Sequence, residues 1–560
     1  MKQFDILALL FGLAACIALF ILADRADRSK STGWKRCWLI PLLTIIVAKD
    51  GPELSLLPLY LGSLIALTGF FTEQKKLRQR SSVIAALCML LTVPVCLLNP
   101  RYRAIGYKAD FQKAFDRMRR HYVLSEHKNI DWDALYAAYM PQIEEAERTQ
   151  DAAKNYYAWA GFTAAFHDGH VSYAMRDRKA EEAAVRAILG NDYGLAVMRL
   201  TDGRFAAVNT DDSLKAHGIT NGTIITKWNG MEPDEASKTS PAWNMKLTCT
   251  DDETENMWEL GGYPDIDNEI FYSGLLAAGL GDETASVSYL DAAGKEQTVT
   301  LPKLGEYADR LFPAMETIDQ GLPLGNLTWQ RMDKTTACLR VTGMSYDSKS
   351  YASDKPSAYT EMTDQLKMQI QEYMDGGVQD YVIDLRNNGG GSPHMVNAIM
   401  SLFAPEGNYP MIYDGVWDDD AKCWKTDENG KYLSGKVTSF NGEDFIQGGR
   451  VILLVNANTV SAGDYMVKAM RGLPNVTVIG FTQPNGSCQA VGGLTLDGGA
   501  LSFSNCVNND ADGNILIDSG TDRQSTDDLD VQIPFDEQAI RALFDDGEDY
   551  AMQQALALLR

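Results

Sequence analysis

Arg450-Val-Ile-Leu-Leu-Val-Asn456 is an apolar, β-branched run that breaks at Ala457-Asn458-Thr459 and resumes as Val460-Ser461-Ala462-Gly463-Asp464-Tyr465-Met466-Val467-Lys468-Ala469-Met470. The first part predicts a strand buried on both faces, as in a parallel sheet, and the second predicts a helix. Ser461 therefore falls at a strand-to-helix turn, where unpaired N–H groups and the positive end of the helix dipole favour an alkoxide. A helix N-cap is the plainer role for it, because a capping serine needs no partner residues. The rest of the chain decides between the two.

Around this stretch strands and helices alternate from 336 onward. Ala337–Val341 reads as a strand and Ser357–Gly376 as a helix, Asp380–Leu385 as a strand and Pro393–Phe403 as a helix, and Val476–Ile479 as a further strand, with one or two helices in Asp536–Arg560. Repeated βα units imply a largely parallel sheet covered on both faces, with sites at the carboxyl ends of the strands. Residues 190–303 are β-rich, with strands at Tyr193–Val197 and Phe205–Val208, an Asn-Gly turn at 229–230, and a hairpin over Ala285–Leu301. Within this unit 235–282 is polar and irregular and reads as an insertion. Residues 108–187 are helical: Phe111, Ala114, Phe115, Met118 and Tyr122 recur at spacings of three and four, and the region ends in Phe166-His167-Asp168-Gly169-His170-Val171.

Charge is unevenly spread. Residues 1–103 hold 13 Lys and Arg against 6 Asp and Glu, and the remainder holds 38 against 69. Four apolar runs, at about 5–23, 37–48, 54–71 and 83–98, predict a four-helix transmembrane anchor over 1–103. The loops between runs one and two and between runs three and four are basic (Arg25, Arg28, Lys30, Lys35, Arg36; Lys75, Lys76, Arg78, Arg80), which places them in the cytoplasm and everything after Asn99 outside. The expectation is a multi-pass protein of the cytoplasmic membrane with an extracytoplasmic body. That acidic body excludes nucleic acid as a partner, since phosphate binding needs a basic face. Uncharged span centres give no support for transport.

Metal and cofactor signals are absent from the sequence. The five cysteines beyond the apolar runs show no C-x-x-C spacing. Cys488 and Cys506 flank a hairpin turning near Asp497-Gly498, where a disulfide in an oxidising compartment and two free thiols are both open readings. Asp510-Ala-Asp512-Gly513-Asn514 has part of a calcium-loop pattern, but Ser519 stands where the last carboxylate is required, and a β-turn is the better reading. No metal and no cofactor is assigned.

Two further stretches bear on Ser461. Asp384-Leu-Arg-Asn-Asn-Gly-Gly-Gly391 follows a buried strand, and its glycines let backbone N–H groups approach an oxyanion; without a Gly-Lys-Ser/Thr ending it is not a phosphate loop. A serine nucleophile also needs a base, usually histidine. Of six histidines, His121, His127 and His217 sit on helical surfaces, His394 follows the glycine loop, and His170, just past Asp-Gly, is the strongest candidate.

In combination these features resemble the serine peptidase family of the C-terminal processing and tricorn-type peptidases. The resemblance is carried by Asn129-Ile-Asp-Trp-Asp-Ala-Leu-Tyr136, Asp168-Gly-His170, Tyr193-Gly194-Leu195 with His217-Gly-Ile-Thr-Asn-Gly222, Ile383-Asp-Leu-Arg-Asn-Asn-Gly-Gly-Gly391 and Thr459-Val-Ser-Ala-Gly-Asp464, over about 110–535. It implies a multidomain chain: a helical subdomain at 108–187 carrying the base, a PDZ-like domain at 190–303 whose Tyr193, Gly194 and Leu195 bind a peptide, and an α/β catalytic domain of ClpP/crotonase-like fold at 325–560. It implies Ser461 as nucleophile, with Ala462 and Gly389 or Gly390 as oxyanion hole. The chain departs from the processing peptidases where they place a general-base lysine, since Gly480–Gln489 has none; Lys468 lies seven residues past Ser461, about 10 Å along a helix. The tricorn-type match makes His170 the base, with Asp518 as its orienting carboxylate; Asp168 either shares that role or caps the turn. The expected activity is a serine-type endopeptidase acting on proteins or peptides, the alternative being a peptidase fold that has lost catalysis and serves as a binding scaffold. No oligomeric state is implied.

Overall fold

The computed structural model describes residues 106–560, except 251–256, 262–273, 321–326, 419–422, 485, 488 and 518–528, together with 76, 80, 83, 84 and 87. The four expected membrane spans lie almost wholly outside the described residues, and among those described no helix is long and apolar enough to cross a membrane. Tyr107–Arg560 clusters as one unit.

The first helices form because aspartates start them and aromatics bury one face. Helices α1 (Tyr107–His121), α2 (Trp132–Thr149) and α3 (Ala152–Ala164) come in succession; Asp131 and Asp151 cap the second and third by accepting from the N–H groups of Ala134 and Lys154 at 2.9 and 3.0 Å. Phe111 meets Trp159 and Phe162 edge to face, and Phe115 meets Trp132 and Tyr136 likewise. The chain then enters strand β1 (Ser172–Met175), where Tyr173 stacks on Trp159 at 4.4 Å, and helix α4 (Arg178–Leu189).

A five-stranded antiparallel sheet follows, made in chain order of β2 (Ala196–Arg199), β3 (Phe205–Val208), β4 (Ile224–Trp228), β5 (Thr284–Leu290) and β6 (Glu296–Pro302). The 235–282 segment, expected to be irregular, contains regular structure: a helix at Pro233–Lys238, a hairpin of Lys246–Thr250 with Met257–Gly261, and a helical turn at Leu275–Ala278. Helix α5 (Ala308–Asp319) leads out of this unit.

The last part is a six-stranded sheet in the order β7 (Leu327–Arg331), β8 (Thr336–Val341), β9 (Asp380–Asp384), β12 (Val451–Val455), β13 (Val476–Gly480), β16 (Val531–Gln532), with β10 (Gly407–Gly415) at the centre of a separate three-stranded sheet between β11 (Ser434–Gly442) and the short strand Asn508–Asn509. Every step is parallel except the edge strand β7. Strands β9 and β12 are buried along their whole length, as central strands covered on both faces must be, which is why β12 reads as an unbroken apolar run and β9 as an apolar centre between Asp380 and Asp384. Helices α6 (Thr360–Asp375), α7 (Pro393–Phe403) and α8 (Ala462–Met470) supply the cover. Because β9 and β12 are adjacent and parallel, the loops after both emerge at one end of the sheet.

A hairpin of β14 (Ala490–Thr495) and β15 (Gly499–Cys506) turns at Asp497-Gly498, and β1 joins its outer edge with Ser172 opposite Ser502. This third strand brings the loop carrying His170 to the core. Cys506 is a free exposed thiol, and Cys488 lies outside the described residues.

Candidate active site

Ser461 is not shaped like an ordinary cap. Its backbone sits at φ 62° and ψ −115°, whereas an N-cap takes the extended region. For a residue with a Cβ such a conformation costs on the order of 1–3 kcal/mol and persists only where surroundings impose it. The imposing contacts are specific: the Ser461 N–H donates to the Ser487 carbonyl at 3.0 Å and the Asp464 carboxylate at 3.2 Å, and the preceding Val460 N–H donates to the Asn388 carbonyl at 2.9 Å. Asp464, fully buried, also accepts from the Gly486 and Ser487 N–H groups at 3.2 and 3.1 Å, so one carboxylate ties the start of α8 to the Gly480–Gln489 segment. Asp464 was not singled out from sequence, although its place three residues after Ser461 is the spacing of a capping box and could have marked it.

The glycine loop packs against this turn. At Gly390, φ is +87° and a Cβ would lie 2.6 Å from the Ser461 Cβ and 2.8 Å from the Val460 carbonyl, so only glycine fits. Its N–H donates to the Asn388 side chain at 3.0 Å, and this corrects the expectation that either glycine could receive an oxyanion: Gly390 has no donor left. The N–H groups of Gly389 and Ala462 have no acceptor among the described residues, and a Cβ on Gly389 would meet open space. Two donors thus flank Ser461, one from each loop.

A buried polar cluster joins those loops from below. Asp319, 3% exposed, accepts from the amides of Asn456 and Asn458 at 2.8 and 3.2 Å, and the Asn387 carbonyl oxygen Oδ1 accepts from the same two amides at 2.9 and 3.1 Å. Burial pushes the Asp319 carboxyl up to about 6, against the pull of Asn456, Arg386 and Asn458. Nothing in the sequence around Asp319 marked it.

His170 reaches this site through Asp168. The Asp168 carboxylate accepts from the His170 N–H at 2.9 Å, the Ser487 hydroxyl at 2.9 Å, the Ser504 hydroxyl at 2.9 Å and the Tyr122 hydroxyl at 3.1 Å. Since the Ser487 carbonyl accepts from Ser461, three hydrogen bonds and the Ser487 residue connect the two candidates, without a direct bond between them. Asp168 therefore holds the backbone of the histidine loop. Neither nitrogen of the buried imidazole makes a well-formed hydrogen bond among the described residues, the Gln489 backbone being the polar group that acts on the ring, and Asp518, the expected orienting carboxylate, lies outside them. Complete burial opposes ionisation of Asp168, but the charges of Lys128 and His170 and the hydrogen bonds it accepts outweigh it and hold the carboxyl below its usual pKa. Burial of His170, aided by Lys246, pulls the imidazole below the ordinary histidine value despite Asp168. His394 lies in the first turn of α7, whose cap Ser392 accepts from its N–H.

Several polar groups of the Tyr193–Leu195 loop are engaged within the unit. Tyr193 and Leu195 are fully buried, and the Tyr193 hydroxyl donates to the Asp282 carbonyl at 2.9 Å. The Gly194 N–H donates to Asp192 at 2.8 Å, and its carbonyl accepts from the Asp211 N–H. A bound peptide terminus needs such groups unspent. Asp510 likewise turns inward, accepting from the N–H groups of Asp512 and Asn514 in a turn.

Comparison with known proteins places this geometry. Residues 335–515, which hold the glycine loop and Ser461, match the model of peptidase family S41, and residues 106–153 match that of the tricorn protease C1 domain. Among solved structures, mature CPAF complexed with lactacystin is 12% identical over 81% of this chain and 98% of its own, with a TM-score of 0.49. The photosystem II D1 C-terminal processing protease is 15% identical over 80% and 98%, with a TM-score of 0.31. The tricorn protease is 12% identical over 81% and 36%, with a TM-score of 0.31. The match at 335–515, which spans the strained serine turn and its glycine loop, and the tricorn-type match that precedes it along the chain make that region similar to the serine-type peptidases of family S41, of the C-terminal processing and tricorn kind.

Proposed function

We propose that the chain is a membrane-anchored serine endopeptidase acting on proteins or peptides outside the cytoplasmic membrane. Ser461 attacks the scissile carbonyl; His170 takes its proton and returns it to the leaving amine; the N–H groups of Ala462 and Gly389 hold the tetrahedral oxyanion. The observation that carries this reading is the backbone of Ser461, strained out of the capping region and set between two uncommitted N–H donors. One such donor is typically worth about 3–4 kcal/mol in the transition state. A depressed imidazole pKa keeps His170 neutral, and so able to accept a proton, below the ordinary histidine range. Catalytic hydrogen bonds often tighten only when substrate binds, which accommodates the missing direct bond to Ser461. Asp518 is the proposed orienting carboxylate, and the five-stranded antiparallel unit is read as PDZ-like.

A fluorophosphonate probe tests the assignment directly. Wild type should be labelled at Ser461, Ser461→Ala should not be labelled, and His170→Ala should be labelled at least about 100-fold more slowly, the usual scale of a general base. Equal labelling rates for His170→Ala and wild type would remove the histidine from the mechanism.

A further inference from the structure

We propose that Lys246 is a positioning residue for His170, fixing the peptide segment that carries the imidazole; this rests on the reading of His170 as the base. Lys246 is 2% exposed, and a lysine is rarely buried so fully unless its ammonium is spoken for. Here Nζ donates to the carbonyl of Gly169 at 2.8 Å and to that of Val171 at 3.1 Å, the residues on either side of His170. The other backbone groups of His170 are held as well, its N–H by Asp168 at 2.9 Å and its carbonyl by the Ser502 hydroxyl at 3.2 Å. Two distant segments, the hairpin of Lys246 and strand β15 with Ser502, therefore hold the Gly169–Val171 stretch together with Asp168 of its own loop, and the ammonium is the grip supplied by the 235–282 segment. Lys246 opens the hairpin Lys246–Thr250, which packs against α3, α4 and β1, the elements on both sides of the histidine loop.

Charge points the same way as geometry. Among the described residues, the groups acting on the imidazole are Asp168 on its own loop, Lys246 from the hairpin and the Gln489 backbone; Lys128 and the hydroxyls of Tyr122, Ser487 and Ser504 act on Asp168. A neighbouring ammonium disfavours the imidazolium, and Asp168 favours it. Removing the ammonium therefore moves the titration of His170 upward. Its sign differs from that of a purely structural lysine, whose loss would lower activity without moving that titration.

The test uses the full chain with Lys246→Met and Lys246→Arg. For Lys246→Met we expect kcat to fall about 100-fold, the effect of a base displaced by roughly 1 Å, with KM little changed and the acid limb of kcat/KM moved to higher pH. Lys246→Arg keeps a charge and two donors and should restore most of kcat and the acid limb. In parallel, the His170 ring is titrated by NMR of histidine-labelled protein, assigned by its loss in His170→Ala. Its midpoint should rise in Lys246→Met and stay low in Lys246→Arg. Unchanged kcat in Lys246→Met, a loss confined to KM, or an unmoved ring titration would overturn the proposal. Should Lys246→Met fail to fold, a raised midpoint in folded Lys246→Arg overturns it instead. If His170→Ala keeps full activity, the base assignment itself is wrong, while the ring titration still judges the lysine.

Discussion

At the scale of single residues, the site depends on a conformation that side chains normally avoid. A Cβ on Gly390 would collide with that of Ser461, so Gly390→Ala should reduce kcat/KM at least about 100-fold and lower stability by about 1–2 kcal/mol, the cost of a left-handed backbone for a residue with a Cβ. Kinetics and thermal unfolding of the variant check both parts, and wild-type activity would mean that the glycine loop moves away from Ser461 in solution. Ser461, Ala462 and Gly389 could be nominated from sequence because a buried strand running into a small-residue turn sets a hydroxyl beside free N–H groups, although the same pattern also suits a helix cap. Lys246 and Asp319 were not, because burial and partners come from segments far apart in the chain, and no local pattern encodes them. The Tyr193–Leu195 loop was legible as a turn, yet its groups are spent on Asp192, Asp211 and Asp282.

At the scale of elements, the parallel core followed from sequence since each strand is an apolar run closed by turn residues. The hairpin at Asp497-Gly498 was equally plain, but its third strand, β1, was not, because pairing between Ser172 and Ser502 leaves no mark on either segment alone. The loops after β9 and β12 are joined at Asp319, the last residue of α5, and this junction titrates. Burial raises its carboxyl to about 6 in the folded chain against an ordinary aspartate value of 3.8, so its stabilising contribution is complete below pH 3.8 and is lost as pH rises through 6. The difference amounts to about 3 kcal/mol at 1.36 kcal/mol per pH unit. Relative to Asp319→Asn, wild type should lose about that much stability between roughly pH 3 and pH 7 in denaturant unfolding. Parallel curves for the two proteins would show that Asp319 stays ionised throughout.

At the scale of the whole molecule, the distribution of charge makes a prediction about sidedness. An acidic body beyond basic loops should lie outside the cytoplasm, and the exposed thiols of Cys423 and Cys506 report on it. A membrane-impermeant maleimide should block both in intact cells with the membrane unbroken; reaction only after lysis would put the body on the other side. The sheet that carries His170 has a consequence in time as well as in space. Strand β1 pairs with a partner made 330 residues later. At about 5–20 residues per second, a ribosome would leave that strand waiting for roughly 15–65 s. The site cannot close before Ser502 has been made, so a nascent chain that stops short of this hairpin carries no assembled hydrolytic centre that could nick its unfinished neighbours.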